Sequence, residues 1–128
     1  MRLLLDTHAL LWWATNDTSL PEPSRRRIAE ARSEVLVSAI SAWEIAIKTR
    51  LGRLPSALPL MDDFEGFLRR QDFEALAVTV DHGLRAGLLP GHHKDPFDRM
   101  LIAQAQAENL AIISNDSVFD QYGVRRFW

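Results

Sequence analysis

Cysteine is absent from the 128 residues. That excludes disulfides, thiolate zinc sites and cysteine nucleophiles, and it suits a reducing cytoplasm. Long apolar runs are lacking too. Leu3 to Leu5 and Ala9 to Ala14 are apolar, but Asp6 and His8 interrupt them and no small-residue cleavage site follows. No stretch approaches the length needed to cross a bilayer, so the chain reads as mature, soluble and cytoplasmic from Met1, with no membrane contact. Strong charge of either sign is missing, the formal net charge being −2. Internal repeats, linkers and low-complexity segments are also missing. What remains is 47% apolar and 25% charged, the balance of a globular protein. The expectation is a single domain over residues 1–128, long enough to bury a core.

Strand and helix signals alternate along the chain. Apolar residues 2–5 read as a short buried strand, with a helix from His8 to Ala14. Pro21 and Pro23 mark a loop, and Ser24 is placed to cap a helix running to about Arg32. Val35–Ser38 reads as a second strand. Ser41 is the expected cap of the next helix, with Ile40, Trp43, Ile47 and Leu51 at helical spacing and Gly52 and Pro55 ending it. A helix from about Met61 to Arg70 follows Pro59, then a strand at Leu76–Val78 and a helix over 81–89 stopped by Pro90-Gly91. After His92-His93-Lys94-Asp95-Pro96-Phe97-Asp98 comes a helix to about Asn109, a fourth strand at Ala111–Ser114 and an edge strand between Val124 and Trp128. This alternation predicts a three-layer α/β fold with a mainly parallel central sheet flanked by helices.

The placement of the acids carries the chemistry. Asp6 follows the first strand and Asp116 follows the fourth, where open parallel sheets bind ligands. Glu44 falls in the first turn of the helix after strand two, and Asp98 opens the long helix before strand four. Each also has a local reading. Asp6, Asp95 and Asp116 suit helix caps, and Glu44 suits an i,i+4 pair with Lys48. Four acids at one sheet edge repel one another unless cations are present. Mg²⁺ and Mn²⁺ favour such oxygen ligands and activate water for in-line attack on a phosphodiester. Thr7, Ser114 and Asn115, beside the strand ends, are placed to hold a metal-bound water or a phosphate oxygen. With the four acids set aside, bases outnumber acids by two, and bound cations reverse the local field further.

Other residues are weighed against the same site. His92-His93 lacks the surrounding ligands of a zinc centre, although His93 near Asp95 suits the rim of a cleft. Arg25 to Arg27, Arg50 with Arg53, and Arg69 with Arg70 read either as phosphate contacts or as solvated helix surface. The tryptophans read as core or dimer contacts before base-stacking platforms, Trp43 as core. Phe127-Trp128 and Leu10-Leu11-Trp12-Trp13 exceed what one small core needs and suggest a self-association surface.

Together, Leu3-Leu4-Leu5-Asp6-Thr7-His8, Ser41-Ala42-Trp43-Glu44-Ile45, Asp95-Pro96-Phe97-Asp98-Arg99 with Ala103 and Ala105, and Ile113-Ser114-Asn115-Asp116 resemble PIN-domain proteins. More narrowly they resemble the VapC toxins of bacterial type II toxin–antitoxin modules, over essentially the whole chain. The resemblance implies a PIN-like fold and an Mg²⁺- or Mn²⁺-dependent endoribonuclease hydrolysing RNA. It also implies a homodimer, and a small antitoxin that blocks the site in a hetero-oligomer. By motif match the family's catalytic, metal-binding acids fall on Asp6, Glu44, Asp98 and Asp116. Asp95, Arg99 and Asp120 are second-tier candidates, with Thr7, Ser114 and Asn115. A DNA or flap-type nuclease, a non-toxin RNA-processing nuclease, a metal-dependent phosphatase and a binding protein with a degenerate site stay open as alternatives.

Overall fold

Five short strands, Arg2–Leu5 (β1), Glu34–Ser38 (β2), Glu74–Leu76 (β3), Ala111–Ile113 (β4) and Arg126–Phe127 (β5), form one sheet in the computed structural model, which describes residues 1–54, 57–91 and 94–128. Their order is β3-β2-β1-β4-β5, and every pairing is parallel. The helices are Thr7–Ala14 (α1), Glu22–Ala29 (α2), Ala39–Arg50 (α3), Leu58–Asp62 (α4), Phe64–Arg70 (α5), Val80–Leu88 (α6) and Pro96–Glu108 (α7), with a 3₁₀ helix at Ser117–Tyr122. Among the described residues no helix is long and apolar enough to cross a membrane.

The layers follow from the two-residue period of a strand. Leu3, Leu5, Val35, Val37 and Ile113 face a core shared with Leu10 of α1, Ile28 of α2 and Leu68 of α5. Leu4, Leu36 and Ile112 face the other way, onto Leu101, Ile102 and Ala105 of α7 and Phe119 of the 3₁₀ helix. Both faces are covered, so the inner strands read as unbroken apolar runs rather than alternating ones. Each buried leucine or isoleucine contributes about 2 kcal/mol. Sequence positions β1 at the centre: strands 2 and 3 extend to one side of it, strands 4 and 5 to the other.

Several local expectations are corrected. Ser24 lies inside α2, which starts at Glu22 and ends at Ala29; among the described residues its buried hydroxyl has no hydrogen-bond partner. Ser38, not Ser41, caps α3, accepting from the Ile40 amide at 3.0 Å. Glu44 therefore sits in the second turn. Leu51 caps the other end, and Gly52 follows at φ +72°, a conformation that disfavours a side chain. The helix expected over 61–70 is two helices, because Asp63 breaks out and caps α5 through the Gly66 amide. The third strand is Glu74–Leu76 rather than Leu76–Val78. Polar Glu74 hides it from a search for apolar runs, whereas pairing with Leu36 defines it. Trp43 is 58% exposed and is not core. Leu10 and Leu11 are buried and Trp12, Trp13, Phe127 and Trp128 pack against the core, so these segments supply less surplus surface than expected. Pro55, His92 and His93 lie outside the described residues.

Candidate active site

The strand order reverses between β1 and β4, and a cleft of about 460 Å³ lies beyond the carboxyl ends of these strands. Asp6, Glu44, Asp95, Asp98 and Asp116 line it, with Thr7, His8, Lys48, Asn115 and Ser117. All four first-tier acids therefore share one cleft. Ser114 stands buried beneath it.

Each acid is fixed by local structure. Asp6 is the N-cap of α1, its Oδ1 accepting from the Ala9 amide at 2.8 Å. Asp116 caps the 3₁₀ helix through the Val118 amide at 3.0 Å. Asp95 caps α7, accepting from the Phe97 and Asp98 amides at 2.9 and 3.3 Å, with Pro96 at the first helical position. The capping and site readings are thus compatible, since these capping carboxylates also line the cleft. Asp98, half-buried, stands in the first turn of α7. The Ser114 hydroxyl accepts from the Asp116 amide at 3.0 Å, tying β4 to the cap that follows it.

Glu44 is held from two sides. The Thr7 hydroxyl donates to its Oε1 at 2.6 Å and the Lys48 ammonium to its Oε2 at 2.6 Å. Ser41 joins this buried group at 3.1 Å from the Thr7 hydroxyl. The fold also shifts Asp6. Burial pushes its pKa up, and the negative Glu44 adds to the rise; hydrogen bonds from Ser114 and the Ala9 amide, and the nearby His8, oppose it. An acid buried beside another acid favours protonation or a cation.

Two second-tier candidates point elsewhere. Arg99 donates to the carbonyls of Ala86, Gly87 and Leu89 and so fastens the end of α6 to α7. Asp120 forms a fork with Arg126, at 3.0 Å on each oxygen, which holds the Asp120 carboxyl below its usual pKa. Conversely, Lys48 belongs to the site, and only its i,i+4 spacing from Glu44 signalled it. Ser41 reads in the sequence as a cap and as part of the Ser41–Ile45 segment, not as a partner of Thr7.

The donor set suits a hard divalent cation. It is all oxygen and anionic, and Asp6 is buried beside the negative Glu44. Among the described residues no three acids are drawn into a closed ligand set in this arrangement; side-chain rotation would be needed to close on an ion. Lys48 supplies the positive charge at Glu44 instead.

Comparison with known proteins agrees with this architecture. The chain is 26% identical over 115 residues to ribonuclease VapC22 of Mycobacterium tuberculosis, covering 89% of this chain and 86% of that protein. Its fold matches the structure of FitAcB from Neisseria gonorrhoeae at a TM-score of 0.69 and 17% identity, over 98% of this chain and 96% of that one. It matches a toxin–antitoxin complex from Klebsiella pneumoniae at 0.60 and 15% identity, over 91% and 88%. The PIN domain family model matches residues 3–124, and the chain belongs to the PIN domain family.

Proposed function

We propose that this chain is a divalent-metal-dependent endoribonuclease acting as the toxin of a toxin–antitoxin module. The observation that carries the reading is the shared cleft of Asp6, Glu44, Asp98 and Asp116 at the switch point of a PIN-family sheet. Similarity to a ribonuclease, VapC22, supports RNA as the substrate.

Asp6, Asp98 and Asp116 are the proposed metal ligands, with Glu44 completing the acidic set. A bound Mg²⁺ or Mn²⁺ would supply a Lewis acid and an activated water. The chain's own residues do the positioning. The caps fix Asp6 and Asp116 on rigid element ends, and Thr7 and Lys48 aim Glu44. Asn115 and Ser117 offer hydrogen bonds to phosphate oxygens at the rim.

A toxin needs restraint. The shared fold with a toxin–antitoxin complex supports a small antitoxin partner. An arginine from a segment that folds on binding would pair bidentately with these carboxylates and displace a cation. Homodimerisation is also proposed. The apolar row Val80, Leu84 and Leu88 on α6, 81%, 61% and 81% exposed, offers more surface for it than the half-buried chain end.

Incubation of the Mn²⁺-loaded protein with RNA, single-stranded DNA and a small phosphate ester tests the substrate class; RNA alone should be hydrolysed. Cleavage of DNA at a comparable rate would favour a DNA nuclease. Induction in a bacterium should arrest growth, and co-expression of the adjacent small gene should relieve it. Cleavage of RNA without arrest would favour an RNA-processing enzyme.

A further inference from the structure

A row of aromatic rings leads from the acidic cleft to the β5 edge of the sheet. His8, on the cleft wall, is exposed and lies 5.4 Å from Trp12 between ring centroids. Trp12 lies 5.7 Å from Trp128, and both are half-buried, packed against the core. Beside Trp128, the ring of Phe127 carries two guanidinium groups: Arg27 at 3.7 Å and Arg125 at 4.8 Å from its centroid. Arg25 and Arg126 are tied to local acceptors. Among the described residues neither Arg27 nor Arg125 has a carboxylate partner. Two like charges gathered on one ring repel, and an anion between them relieves the repulsion.

This edge is joined to the cleft. The Ser114 amide donates to the Phe127 carbonyl at 3.1 Å, and the Ser114 hydroxyl holds the Asp116 amide. The backbone that carries the Phe127 ring is therefore one strand spacing, about 4.8 Å, from β4, the strand that leads into Asp116. An acidic cleft in a chain of net charge −2 repels a polyanion. Cations on a surface next to the cleft would add anion affinity that its acids do not supply.

We propose that the β5 edge is the track for single-stranded RNA beside the scissile phosphate, with bases stacking on His8, Trp12 and Trp128 and phosphates held by Arg27 and Arg125. The proposal rests on the reading that the cleft hydrolyses RNA. Rings for base faces, interleaved with cations for the backbone, are the two components of single-strand recognition, and they tolerate any base sequence. A second copy of the chain or another protein placed here would have to bring acids to both guanidiniums or bury them uncompensated, at a high desolvation cost.

The binding arm is run in chelator, so it does not depend on cleavage. Wild type, Arg27→Gln/Arg125→Gln and Trp12→Phe/Trp128→Phe are titrated with an RNA of roughly 12 nucleotides, within the usual span of such sites. The arginine double variant should lower the log–log salt slope by about 1.4, two single-strand phosphates' worth. The tryptophan double variant should lose most of the fluorescence quenching that RNA causes. In Mn²⁺, the arginine variant should lower kcat/KM on the longer RNA and leave that on a trinucleotide unchanged. An unchanged salt slope with unchanged quenching overturns the track. So does self-association of the chain that the arginine variant abolishes while RNA binding persists. Wild type that binds RNA through these residues but cuts neither substrate overturns the ribonuclease reading and leaves the track standing.

Discussion

Thr7, the first residue of α1, donates a 2.6 Å hydrogen bond to Glu44 in the second turn of α3. This bond joins the element after β1 to the element after β2, and it aims a buried carboxylate into the cleft. Thr7→Val keeps the shape and removes the donor. A hydrogen bond to a charged group is worth about 1.5–3 kcal/mol, so urea unfolding should show a loss of roughly 2 kcal/mol. Thr7→Ser should recover most of it. No loss in the valine variant would mean that Lys48 alone positions Glu44.

Asp6 is expected to weaken the metal-free protein. Its folded pKa is raised by burial above the unfolded value, so the folded state binds the proton more tightly. Stability from this group is greatest below the unfolded pKa and falls as pH rises through the folded pKa. Asp6→Asn removes the charge and retains an N-cap, since asparagine caps as well as aspartate. In chelator at neutral pH its Tm should exceed that of wild type, and the gap should close as pH falls toward the carboxylate range. RNA cleavage should drop by more than the roughly 10- to 100-fold that loss of an outer partner costs at a metal site. A neutral-pH Tm below wild type would contradict the burial account.

Lys48 competes with a cation for Glu44. Lys48→Met should tighten Mn²⁺ binding measured by calorimetry, because the carboxylate no longer has a resident ammonium. The same change leaves Glu44 uncompensated in chelator. The lysine is part exposed, so the expected stability loss is about 1 kcal/mol rather than the larger cost of a fully buried pair. Weaker Mn²⁺ binding would instead make Lys48 a supporting member of the metal site.

Much of this site was legible because its residues obey simple spacing. Asp6 and Asp116 follow apolar strands and Asp98 opens the helix before the fourth, so sequence alone placed these three at one sheet edge. Glu44 was placed there too, although one turn early, because Ser41 imitated a cap that Ser38 provides. What escaped was decided by tertiary packing. Trp43 lies on an apolar stripe whose Ile40 is buried, yet Trp43 itself is exposed, and its ring rests edge-on against Phe97 at 5.5 Å. Glu74 conceals β3, which exists because β2 needs a partner. The cationic ring of Phe127 joins residues 100 positions apart, Arg27 and Phe127, and no local pattern encodes that contact.

The central claim is that these carboxylates act through a divalent cation on RNA. The most direct test is the cleavage rate of an end-labelled single-stranded RNA, measured against Mn²⁺ concentration for wild type and Asp98→Asn, with the fold of each checked by its Tm. The account predicts saturable, chelator-sensitive cleavage by wild type and, in a variant that stays folded, loss of cleavage with a much weaker metal dependence. Equal rates for the two proteins, or wild-type cleavage that persists in chelator, would contradict it.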